Sequence, residues 1–164
     1  MREIPKILLF GIGNSGRSDD GLGWSFIDKI KGELPKNFDF EYRYQLQVED
    51  AELASHYDII YFIDAHKRQF QKGFIFEKCK AKVSGSFTTH ELNPQSILHL
   101  TKSIYNKNPK AFLLGISGKK FDLEIGLSLD GKSNLNHTVS YFIKEIITKQ
   151  LYYQLDKSHV FILK

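Results

Sequence analysis

The chain has 164 residues and a net charge of +4, with 41% hydrophobic residues, which suits one globular domain, 1–164, with its own core. A single cysteine, Cys79, excludes an internal disulfide and a cysteine zinc cluster. No apolar run reaches transmembrane length, and no recognition motif accompanies the dispersed basic residues, so neither a membrane nor nucleic acid is an expected partner.

The first element is a strand over 6–11, in which Ile7, Leu8, Leu9 and Phe10 form an apolar run bounded by Gly11. The apolar stretch after the start is too short for a secretory signal, so a cytoplasmic protein is expected. A glycine-rich turn carrying Asp19 and Asp20 follows, and Leu22, Phe26, Ile27, Ile30 and Leu34 then recur at helical spacing over 22–34. Residues 38–48 alternate as a half-exposed strand, and 49–56 suit one short helix. Ile59 to Ile63 mark a second fully buried strand, 58–65, ending in Asp64. The gap before the next alternating stretch, 73–79, holds no helix, so that strand is expected to run antiparallel. The densest basic stretch, 67–82, reads as a solvated edge.

A Ser-, Gly- and Thr-rich loop over 83–92 carries His90. Asn93-Pro94 is a helix start, with Asn as cap and Pro in the first turn. Residues 111–116 form another buried strand, 121–130 are irregular, and 135–151 carry an amphipathic helix. The tail, 159–164, is apolar enough for an edge strand. Strand and helix alternate, which predicts an α/β fold with a mostly parallel sheet.

Loops after parallel strands gather at one sheet edge, where ligands bind. Asp20 follows the first strand and Asp64 closes the central one, so on neighbouring parallel strands the two can converge there, and His90 lies in a later loop. A histidine and two carboxylates suit a divalent metal. Spacing alone leaves plainer roles open. One of Asp19 and Asp20 is expected to cap the helix, freeing the other for chemistry. For Asp64, spacing favours a turn cap or pairing with Lys67 or Arg68. His66 rivals His90 as a ligand. Gly11, Gly13 and Gly16 also match the dinucleotide fingerprint, giving a nucleotide-binding oxidoreductase as an alternative. In that fingerprint the helix starts at the glycines, whereas here the helical pattern starts after Asp20, so two carboxylates stand where a pyrophosphate would sit.

The run Gly11–Gly23 (GIGNSGRSDDGLG), directly after a buried strand, resembles the N-terminal signature of the hydrogenase maturation proteases. Further along, 58–65 (DIIYFIDA), 89–92 (THEL) and the blocks Gly115-Ile116 and Gly126-Leu127-Ser128 are similar to that family's later segments, in order. The resemblance implies a three-layer α/β/α sandwich around a five-stranded, mostly parallel sheet with one antiparallel strand. It implies an endopeptidase, expected to be monomeric, that removes a C-terminal extension from the large-subunit precursor of a nickel–iron hydrogenase. It implies Asp20, Asp64 and His90 as the catalytic, metal-contacting residues, and a nickel ion delivered with the substrate. A non-catalytic maturation chaperone on the same fold is the further alternative. The chain departs from the family pattern at Gly16-Arg17, where a large apolar residue is usual. It departs again at 44–50 (YQLQVED), where many members have a Gly-Gly-Thr turn, and that turn is expected to border the site.

Overall fold

The computed structural model describes residues 3–83 and 92–151. The loop bearing His90 and the expected tail strand at 159–164 lie outside the described residues. Five strands form one sheet in the order β2-β1-β3-β5-β4, with β1 Ile7–Ile12, β2 Phe38–Arg43, β3 Ile59–His66, β4 Phe74–Cys79 and β5 Lys110–Ser117. The β1–β2, β1–β3 and β3–β5 pairs are parallel, and β4 is antiparallel to β5 at the edge, as the short 64–73 gap requires. Lys72, Lys78, Lys80 and Lys82 flank or punctuate that edge strand, a charge distribution that discourages pairing with another chain.

Helices cover both faces, so the expected three-layer sandwich is observed. On one face α1 (Leu22–Ile30) and α4 (Leu129–Phe142) bury Phe26, Ile27, Leu135 and Phe142 against Leu9, Tyr61, Ile63 and Leu114. On the other face α2 (Asp50–Ala54) and α3 (Pro94–Tyr105) bury Ala51, Ala54, Ile97 and Leu98 against Leu8, Phe10, Ile60 and Phe62. The central strands β1 and β3 feed both cores by alternation, which is why each reads as an unbroken apolar run. Asn93 caps α3 as expected, its Oδ1 accepting from the Ser96 amide at 2.8 Å. Among the described residues no helix is long and apolar enough to cross a membrane.

Several boundaries differ from expectation. The first helix tightens into a 3-10 turn at Lys31–Glu33 rather than running on to Leu34. Strand β2 stops at Arg43 instead of Val48. Buried Asp50 accepts from the Gln47 amide at 2.8 Å and from Arg43 Nε at 2.9 Å, pulling residues 44–47 into a turn. Strand β3 continues past Asp64, because Ala65 and His66 still pair with Ile116 and Ser117. The last helix starts at Leu129, well before its apolar pattern begins, because Ser128 caps it by accepting from the Gly131 amide at 2.9 Å. A π-helical turn, Ile143–Ile147, follows α4.

Candidate active site

The carboxyl ends of β1 and β3 lie side by side in the sheet, and the 3-10 turn Ser18–Gly21 folds back over them before α1 begins. Gly13 makes this fold possible. Its φ is +140°, and a Cβ there would lie 1.9 Å from the Asp20 carbonyl oxygen. Four of the loop's amides already have protein acceptors: Gly13 donates to the Arg43 carbonyl, Asn14 to that of Asp20, Gly16 to Asn14 Oδ1 and Arg17 to the Asn14 carbonyl. Anion binding at such a loop needs free N–H groups. The glycines here instead serve close packing of the protein on itself, which argues against the dinucleotide reading.

The two adjacent aspartates have opposite fates, and neither side chain caps a helix, contrary to the expectation for one of them. Asp19 is wholly buried. Its carboxylate accepts from the amides of Lys119 (2.8 Å), Lys120 (3.1 Å) and Ser128 (2.8 Å), and from Ser128 Oγ (2.6 Å). Burial pushes its pKa up, but these hydrogen bonds outweigh burial and hold it below the ordinary carboxylate range. A Cβ on Gly131 would lie 2.3 Å from Asp19 Oδ1, so only glycine lets α4 approach this closely. Asp19 therefore ties the 3-10 turn to the β5–α4 connection. Sequence reasoning missed it, because its partners lie some hundred residues away and leave no local signal.

Asp20 faces outward into a cleft of about 240 Å³ that it shares with Asp64. Ile12, Gly13, Tyr44, Gln45, Leu46, Leu92, Asn93 and Pro94 complete the lining. The turn after β2 borders the site, as expected, and an isolated bridge between Leu46 and Leu92 joins the two rims. Asp64 Oδ1 accepts from the following amide, Ala65, at 2.8 Å. Among the described residues no ion pair involves Asp20 or Asp64, so the expected pairing of Asp64 with Lys67 or Arg68 does not occur. Lys67 sits over the Phe121 ring and Arg68 over Phe70. His66 is turned to the loop beyond β3, where its Nδ1 accepts from the Arg68 amide at 3.0 Å, and it does not line the cleft. His90, the third expected ligand, lies outside the described residues, two positions before Leu92 on the cleft wall. Among the described residues no three histidine, cysteine or acidic side chains are grouped closely enough to hold a metal ion.

Burial, aided by the Asp20 charge and opposed by the Ala65 amide, pushes the Asp64 carboxyl up to about 7. An acid whose pKa is higher folded than unfolded favours folding in its protonated form. That contribution is complete below pH 4 and is lost as pH rises through 7. Asp64→Asn, neutral throughout, is therefore expected to be more stable than the parent at pH 8, by about 2 to 4 kcal/mol. That corresponds to a melting point roughly 5 to 10 °C higher. Near pH 4 the two proteins are expected to melt together. Thermal melts across this range check it, and equal stability at pH 8 would show that Asp64 carries no electrostatic strain.

No family model matches the chain, and no curated protein matches it by sequence. Solved structures do match. The hydrogenase maturating endopeptidase HybD from Escherichia coli superposes with a TM-score of 0.70 at 16% identity, over 88% of this chain and 93% of that one. The nickel–iron hydrogenase maturation protease HycI from Thermococcus kodakarensis KOD1 gives 0.67 at 20% identity, over 85% and 91%. A hydrogenase 2 maturation peptidase from Thaumarchaeota archaeon SCGC_AB-539-E09 gives 0.61 at 19% identity, over 85% and 96%. The chain thus has the fold seen in hydrogenase maturation endopeptidases, over nearly their whole length.

Proposed function

We propose that this chain is a maturation endopeptidase that removes a C-terminal extension from the nickel-loaded large-subunit precursor of a nickel–iron hydrogenase. The observation that carries the reading is the convergence of Asp20 and Asp64 in one cleft, with no ion pair to either among the described residues, on a fold shared with hydrogenase maturation endopeptidases. The Asp20 charge adds to the cost of ionising buried Asp64, and a divalent cation held at the two carboxylates would relieve it. Oxygen donors from both, joined by the imidazole of His90, would contact the nickel brought by the substrate. A histidine and two carboxylates suit a divalent ion and would leave positions for the substrate.

A metal ion of this kind polarises a peptide carbonyl and acidifies water. The protein's own part is threefold. Asp20 is presented by a turn fastened through the Ser18 and Asp19 amides to the carbonyls of Glu124 and Lys120. Asp64, on the central strand, has little freedom to move, so its carboxylate would be held in place for the ion brought by the substrate. The apolar walls from Ile12, Leu46, Leu92 and Pro94 limit water around the reacting group. A carboxylate acting as general base is the alternative route to the same hydrolysis.

The test is titration of the purified protein with nickel or cadmium ions, alongside Asp20→Asn, Asp64→Asn and His90→Ala. A single divalent ion is expected to bind, weakened at least tenfold in each variant. Unchanged affinity in all three would refute the shared site. A rise in melting temperature with millimolar NAD would instead favour the nucleotide reading.

A further inference from the structure

Tyr44 is 69% exposed, yet its position is fixed by several contacts. Its ring lies 4.9 Å, centroid to centroid, from that of Trp24. Trp24 is itself held, its Nε1 donating to the Arg43 carbonyl at 3.1 Å and its ring meeting Tyr42 edge-on at 5.7 Å. The same carbonyl accepts the Gly13 amide at 2.9 Å, so the residue before Tyr44 is fastened to the loop that carries Asp20. Arg43 Nε donates to buried Asp50 at 2.9 Å, and the other Asp50 oxygen accepts the Gln47 amide at 2.8 Å. One carboxylate thus closes the turn 44–47 at both ends. Ordering a side chain that stays in water has an entropic cost that burial does not offset, so the placing of this ring is the feature to explain.

Tyr44 lines the cleft that holds Asp20 and Asp64. At about 240 Å³ the cleft is smaller than most small-molecule sites, which span roughly 300–1,000 Å³. A peptide bond brought to the two carboxylates in so small a space has its neighbouring residues against the walls. Ile12 and Leu46 in those walls are already buried, whereas Tyr44 offers most of its surface to an incoming chain. Tyrosine is also a residue on which binding energy concentrates, because its large ring is ordered by few rotations.

We infer that Tyr44 is a substrate-positioning residue: its ring packs on the precursor peptide beside the scissile bond, and the Arg43–Asp50 pair holds that ring in register with the Asp20 loop. This rests on the endopeptidase reading. Arg43 links the two sides of the cleft, through its carbonyl to Gly13 and through its side chain to Asp50 and the turn. The wall is therefore set before substrate arrives, and less ordering remains to be done on binding.

The test uses the whole chain with a nickel-loaded large-subunit precursor, and the variants Tyr44→Ala, Tyr44→Phe, Asp50→Asn and the combination of Tyr44→Ala with Asp50→Asn. Cleavage is followed against precursor concentration at a temperature where circular dichroism shows every variant folded, and the affinity for nickel ions is measured by calorimetry. Tyr44→Ala is expected to raise KM at least fivefold, with kcat within threefold and nickel affinity unchanged, because the ring meets the peptide and not the ion. Tyr44→Phe keeps the ring and is expected to recover most of that loss. Asp50→Asn is expected to raise KM as well, and the combined variant to be no worse than the poorer single one, since the pair acts through Tyr44. A role in stability alone would lower the melting temperature without this coupling. If Asp50→Asn does not fold, Arg43→Lys, which keeps the charge and loses the forked geometry, replaces it in the cycle. A parental KM in Tyr44→Ala overturns the inference and leaves the endopeptidase reading standing. A tenfold loss of nickel affinity in that variant also overturns it, by moving the effect to the ion. Independent, additive losses in the combined variant overturn the link between the pair and the ring. A parent that does not cleave the precursor overturns the endopeptidase reading and the inference with it.

Discussion

Asp20→Asn is expected to lower cleavage of the nickel-loaded precursor by about a thousandfold, equivalent to ~4 kcal/mol of transition-state stabilisation. The substitution keeps the shape of the side chain and removes its charge. Among the described residues the Asp20 carboxylate makes no ion pair, and the melting temperature is expected to stay within a few degrees. The loss is thus separable from unfolding. A second readout follows from the geometry. Part of the upward shift of the Asp64 carboxyl comes from the Asp20 charge, so Asp64 in the variant is expected to titrate below the parent's value of about 7. NMR titration of the Asp64 carboxyl measures this. Cleavage at the parent rate by Asp20→Asn would remove Asp20 from the mechanism.

Asp19→Ala has the largest expected effect on stability. It deletes one carboxylate that satisfies the amides of Lys119, Lys120 and Ser128 and the Ser128 hydroxyl. Buried donors left without acceptors lose their solvation with no return. A cost of about 4 kcal/mol is expected, lowering the melting temperature by roughly 10 °C. Cleavage is expected to fall with it, because Asp20 is the next residue on the same turn. Asp19→Asn, which offers one acceptor oxygen, is expected to lose about half as much. The sign of the pH dependence is opposite to that of Asp64. A carboxylate held below its ordinary pKa stabilises the fold above pH 4, and that contribution disappears as pH falls through the folded value. The gap between parent and Asp19→Asn should therefore close in strong acid. A constant gap from pH 7 to pH 2 would show that charge plays no part in the tether.

The order of elements was readable from residue patterns because burial leaves a periodic record. The apolar runs of Ile7–Phe10 and Ile59–Ile63 announced strands covered on both faces, and the short passage from Asp64 to Gly73 announced the antiparallel edge. Boundaries failed where a distant or polar contact overrode the local pattern. Strand β2 ended early because Asp50 captured the Arg43 side chain and the Gln47 amide. Helix α4 began early because its first turn packs on the Asp19 carboxylate rather than on an apolar core, and so carries no hydrophobic stripe.

The site divided in the same way. Parallel strands side by side bring their carboxyl ends together, so chain order allowed Asp20 to meet Asp64, and the adjacency of β1 and β3 in the sheet decided it. Which of the two neighbouring aspartates would be buried and which would face the cleft was not legible in the residue pattern, and only the family resemblance singled out Asp20. Both have the same charge, the same side chain and the same local context. Only the packing of the β5–α4 connection against one of them, through donors far along the chain, made Asp19 a buried anchor and left Asp20 facing the cleft.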